Sequence, residues 1–293
     1  MLSSRSARSK RRSDPLTPRA LHYLIAISLA VAGLASMRWV LLSPWQFGGD
    51  MEAYWQAALR IREGLPLYPS LHDLDAHSVF RYSAWFAIMW VPISYLPKAA
   101  VVVIWVALQM AATSVVLRPL LGRGAAGWVL LLLLAPLMIQ SAWYGQIQPL
   151  VVLLITWGLR RGSGPIWVGM SASLKASPLL FALVYVARRE WGRAALTLAV
   201  AIVLSAPTLL FDISNYPFDA GLTVSFWSTS PLLWLATAAA SLAVAVALAW
   251  RRSKWTMLAA GSAAILTSPR VYLDMINYLL PAIHHPPPAD GAK

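Results

Sequence analysis

The chain has 293 residues, 59% of them hydrophobic and 12% charged, against roughly 45–50% apolar and about 25% charged in an ordinary soluble domain. A water-soluble fold of this size cannot hide that excess, and with no cysteine disulfides, thiolate metal sites and cysteine nucleophiles are excluded together. The 24 Lys and Arg against 11 Asp and Glu give a net charge of +13, which in a membrane chain reads as topology rather than nucleic-acid binding, because basic residues concentrate in segments that stay cytoplasmic.

Residues 1–19 are polar and basic and predict a disordered cytoplasmic tail. The apolar run Leu21 to Leu42 is too long for a signal-peptide core and lacks a clear cleavage site, so it predicts an uncleaved first span with the N-terminus inside. It delivers residues 43–79 to the outer face as a loop holding five of the 11 acids, Asp50, Glu52, Glu63, Asp73 and Asp75. Within the loop Glu52, Gln56, Arg60 and Glu63 oppose Met51, Tyr54, Trp55 and Ala58. This spacing predicts a short amphipathic helix from about Gly49-Asp50 to Gly64.

Pro92 and Pro97 interrupt residues 80–97, leaving a short outer hairpin or half-span, and 99–117 make the better crossing toward Arg118 and Arg123. Further apolar runs include Trp128 to Met138, Trp191 to Phe211 and Leu232 to Trp250. Between the basic pairs Arg160-Arg161 and Arg188-Arg189, residues 163–187 carry Lys175 and Pro178 at their centre. Two half-helices of about a dozen residues satisfy both basic flanks, and such breaks need a protein-lined or wet cavity. Asp212 to Ser230 predicts an outer loop, 232–250 a return, and 268–283 gives no clear signal. The fold expected is all-α: a polytopic transmembrane bundle over 20–283 with eight to ten hydrophobic segments, some short or broken, followed by a polar Pro-rich tail at 284–293.

Asp50 opens the amphipathic helix, where a carboxylate serves as an N-cap or as a general base for a substrate hydroxyl, two roles that are not exclusive. Lys175 is a costly intramembrane cation, placed either to pair with a carbonyl or Asp274 or to hold a phosphate at the meeting half-helices. Gln146 and Gln148 put amides at a turn, suited to broken backbone or to sugar hydroxyls. His72 and His77 near Asp73 and Asp75 match no tight metal-ligand spacing and read as loop polarity. The 15 Trp residues read as interfacial belts, with some as the lining of a groove for polyprenyl or sugar.

In order, Gly49-Asp50-Met51-Glu52-Ala53-Tyr54-Trp55, Gly64-Leu65-Pro66-Leu67-Tyr68, Phe80-Arg81-Tyr82, Gly145-Gln146, Leu174-Lys175-Ala176-Ser177-Pro178 and Ser268-Pro269-Arg270 resemble glycosyltransferase family 87. These are GT-C enzymes, similar to mannosyltransferases that build phosphatidylinositol mannosides. The resemblance implies a multi-pass plasma-membrane enzyme moving a hexose, commonly mannose, from a polyprenyl-phosphate donor to a lipid or glycan acceptor at the outer face, with inversion. It implies Asp50 as base, donor and substrate contacts from Lys175, Arg81, Tyr82, Gln146, Gln148, Arg270 and Asp274, and no metal or cofactor. The sequence departs from the family's usual pattern at Ser83-Ala84, where Pro-Pro is common, at Gln148, where Asn is usual, and at Asp274, near a frequent His. A transporter or lipid flippase would use broken helices and a cavity lysine equally well, and a truncated inactive homologue is a third reading.

Overall fold

A computed structural model describes residues 47–69, 79–216, 226–269 and 273–284, with Val31, Leu34 and Arg38 as isolated helical positions. Every regular element among the described residues is helical. The predicted tails, nearly all of the first span and residues 70–78 with His72, Asp73, Asp75 and His77 lie outside the described residues.

The amphipathic helix runs over Met51–Arg62 (α1) and buries Met51, Ala53, Tyr54, Trp55, Ala57 and Ala58, the face expected from its spacing. Helix Ala84–Trp90 (α2) and a 3-10 turn at Ile93–Tyr95 form the short half-span, ended by Pro92 and Pro97. Next come Lys98–Leu121 (α3), Gly124–Trp143 (α4), Gln148–Gly158 (α5) and Gly164–Leu174 (α6). A 3-10 turn at Ser177–Ala182 leads into Leu183–Ala187 (α7), followed by Trp191–Ser205 (α8), Phe226–Thr229 (α9), Pro231–Trp250 (α10) and Thr256–Leu266 (α11). Residues 273–284, which gave no sequence signal, form a 3-10 turn at Leu273–Leu279 and helix Leu280–His284 (α12).

Among the described residues four helices are long and apolar enough to cross a bilayer: α3, α4, α8 with its continuation to Leu210, and α10. That is fewer than the eight to ten segments expected. The difference is one of length: α5, α6 and α11 have 11 residues each, about 16 Å at 1.5 Å per residue, or half a hydrocarbon core of about 30 Å. Apolarity alone signals such a helix as strongly as a full span.

The basic clusters meet at one end of the bundle. Arg123 donates to the Ile283 carbonyl, Arg160 to the His284 carbonyl at 3.1 Å, Arg193 to that of Arg161 at 2.6 Å, and Arg189 to that of Trp250 at 3.4 Å. The opposite end carries Asp50 and the Glu52–Lys98 ion pair at 2.5 Å. Both flanks of residues 163–187 thus sit at the basic end, so α6 enters and the 3-10 turn with α7 returns, as the paired half-helices predicted. Helix α11 likewise rises from Arg251-Arg252, and 273–284 comes back to Arg123 and Arg160.

Not all tryptophans form belts. Trp90 is fully buried, and Trp55 and Trp105 nearly so. Tyr54 meets Tyr82, Phe86, Trp90 and Trp105 with ring centroids 5.0 to 5.8 Å apart. This aromatic core fixes α1 onto α2 and α3, and such pairs each add about 0.5–1.5 kcal/mol beyond the area they bury.

Candidate functional site

The chain turns sharply where α4 meets α5. Gly145 has φ +71°, and a β-carbon there would lie 3.2 Å from the Trp105 ring and 3.4 Å from the Gly48 backbone. Trp105 Nε1 donates to the Gly145 carbonyl at 2.7 Å. The backbone N–H of Gly48 donates to Trp143 and that of Asp50 to Tyr144, at 2.9 and 2.8 Å. Asp50 is therefore pinned through its main chain to the turn that carries Gln146 and Gln148. It occupies the N-cap position of α1, yet its side chain makes no capping bond.

Lys175 stands in extended backbone where α6 ends and the re-entrant turn begins. Its Nζ donates to Gln148 Oε1 at 2.7 Å, so its direct partner is this amide and not Asp274. Both Asp274 and Asp50 are near enough to act on Lys175 electrostatically. Gln148 is fully buried, and its Oε1 also accepts from the Tyr278 hydroxyl at 3.4 Å. Asp274 is buried, with Ser141 Oγ donating to it at 3.4 Å. The fully buried Asn277 finds no hydrogen-bond partner for its amide.

Above this layer lies a cavity of about 650 Å³. Arg81, Tyr82, Gln146 and Lys175 line it, with the hydroxyls of Ser83, Ser173, Ser177, Ser205, Thr267 and Ser268 around them. Gln148, Asp50 and Asp274 are not in its wall; Gln148 holds Lys175 by its hydrogen bond, and the two carboxylates act on it electrostatically. Arg270 lies outside the described residues. Ser83 Oγ donates to the Ser173 carbonyl at 2.5 Å, and the Ala84 N–H to Thr208 Oγ1 at 3.0 Å. A proline at 84 would have no N–H for that bond, so the Ser83-Ala84 departure ties the entry loop to α6 and to the end of α8. Tyr216, whose hydroxyl donates to the Arg81 carbonyl at 2.9 Å, and Tyr278 belong to the site but carried no sequence signal, being lone aromatics in segments without periodicity. Among the described residues no three His, Cys, Asp or Glu side chains gather as metal ligands.

Lys175 and Arg81 among six serine and threonine residues give the cavity a polar, cationic wall suited to an anionic or hydroxylated ligand. No curated protein and no solved structure matches the chain significantly. Residues 80–220 match the model of glycosyltransferase family 87, a stretch containing Arg81, Tyr82, Gln146, Gln148 and Lys175 but not Asp50, Arg270 or Asp274. Over that stretch, about half of its length, the helical membrane chain is similar to glycosyltransferase family 87.

Proposed function

We propose that the chain transfers a hexose, mannose by its resemblance, from a polyprenyl-phosphate donor to a lipid or glycan acceptor at the outer face of the plasma membrane. The observation that carries this reading is Lys175, an ammonium at the break of a re-entrant hairpin, facing a hydroxyl-lined cavity with Arg81 on its wall. The acceptor oxygen attacks the anomeric carbon, its proton passes to the Asp50 carboxylate, and the bond from that carbon to the phosphate oxygen breaks with inversion. The polyprenyl phosphate departs as an anion and needs no proton, and Lys175 and Arg81 stabilise its growing charge.

Purified protein with a radiolabelled panel of polyprenyl-phosphate sugars tests the donor. Transfer from a polyprenyl-phosphate hexose is expected, and transfer only from a nucleotide sugar would overturn the donor class. In the same assay Asp50→Asn should lose about 10²- to 10⁴-fold in rate, the usual contribution of a general base. Undiminished transfer by that variant refutes the base assignment.

A further inference from the structure

At the basic end, two helix termini share an uncommon feature. Arg189 and Arg252 have φ of 60° and 55°, in the left-handed region where glycine is the default and other side chains are strained. Each closes the same C-terminal motif. The Arg189 N–H donates to Val186 and that of Glu190 to Tyr185, at 3.0 and 2.9 Å. The Arg252 N–H donates to Ala249 and that of Ser253 to Leu248, at 3.1 and 2.8 Å. Glycine would make these turns without cost, so placing arginine there twice trades backbone strain for a side chain.

The two turns are neighbours. The Arg189 guanidinium donates to the Trp250 carbonyl and lies 4.4 Å from the centre of the Trp250 ring and 5.6 Å from that of Trp191. Trp191 and Trp250 are the terminal residues of two spanning helices, and both are exposed, at 50% and 60%. Rings at helix ends mark the boundary of the hydrocarbon, which puts Arg188, Arg189, Arg251 and Arg252 one step beyond it, at the level of lipid phosphates. The adjoining acid Glu190 is taken up by Arg193 at 2.8 Å.

We infer that the paired turns after α7 and α10 form a binding site for the headgroup of an anionic phospholipid, with Arg188, Arg189, Arg251 and Arg252 around the phosphate and Trp191 and Trp250 against the upper acyl chains. Arginine supplies planar, paired donors suited to phosphate oxygens, and the flanking rings select a lipid over a soluble polyanion. This site lies at the opposite end from Asp50, and the inference does not depend on the transfer reaction.

The test uses the full-length protein exchanged into detergent holding equal amounts of phosphatidylglycerol and phosphatidylcholine, with retained lipid counted by native mass spectrometry. Wild type should retain phosphatidylglycerol at least tenfold over phosphatidylcholine. The double variant Arg189→Gly/Arg252→Gly relieves the strain and removes the charges together. It should melt at a higher temperature than wild type without lipid and lose the preference. A wild type without preference, or a well-folded double variant that keeps it, overturns the site. Inorganic phosphate at equal charge should not displace the retained lipid; displacement would show a simple anion site instead and also overturns the proposal.

Discussion

An ammonium has three N–H donors, and Lys175 gives one to Gln148, leaving two for an anion in the cavity. Replacing it with methionine keeps the length and apolar stem while removing every donor. Lys175→Met should therefore fold and raise the donor KM at least tenfold, as read in initial rates against donor concentration. Retained donor affinity would place the phosphate elsewhere. Asp50 and Lys175 stood out in the sequence because charges are scarce in it and each sits beside a helix-breaking signal. Gln148 was legible only as an amide near a turn. That it would brace Lys175 depends on how far apart α5 and the end of α6 come to rest, which no local pattern encodes.

The elements show the same division. The short amphipathic helix and the re-entrant pair around Lys175 followed from residue spacing and from basic flanks that demand one side. The return of residues 273–284 did not, since a 3-10 turn has neither a helical stripe nor enough apolar length. Gly169 on α6 lies against α8, and a β-carbon there would be 2.7 Å from both the Thr197 carbonyl and Val200 Cβ. Gly169→Val should cost roughly 1–3 kcal/mol through overpacking, measurable by unfolding in detergent. Helix α1 is anchored to α3 by Glu52 and Lys98. Partial burial pushes the Glu52 carboxyl up, but bonds from Lys98 and Gln56 outweigh it and hold the group below its ordinary value of 4.5. A lowered folded value means the stabilisation exists at neutral pH and fades as the pH falls through the glutamate range. Glu52→Gln should thus be less stable by about 0.2–1 kcal/mol at pH 7, the range of exposed pairs, and indistinguishable from wild type in acid.

Among the described residues of the whole molecule, arginine pairs join at one end, while Asp50 and the Glu52–Lys98 pair lie at the other. The chain has no cysteine, so single introduced thiols report unambiguously on sidedness. Leu65→Cys and Gly162→Cys should react with a membrane-impermeant maleimide from opposite faces of sealed vesicles, Leu65→Cys from outside in intact cells. Labelling of both from one face would refute the topology.

The two re-entrant hairpins behave mechanically as cantilevers, clamped at the arginine end and projecting half-way across the bilayer. Gln148 ties the tip of the first to the returning limb of the second, its one oxygen receiving Lys175 from the one and Tyr278 from the other. Cutting that tie with Gln148→Leu should leave the clamped ends intact while letting the tips splay. Hydrogen exchange would then rise at residues 174–180 and 273–279 but not at the basic end.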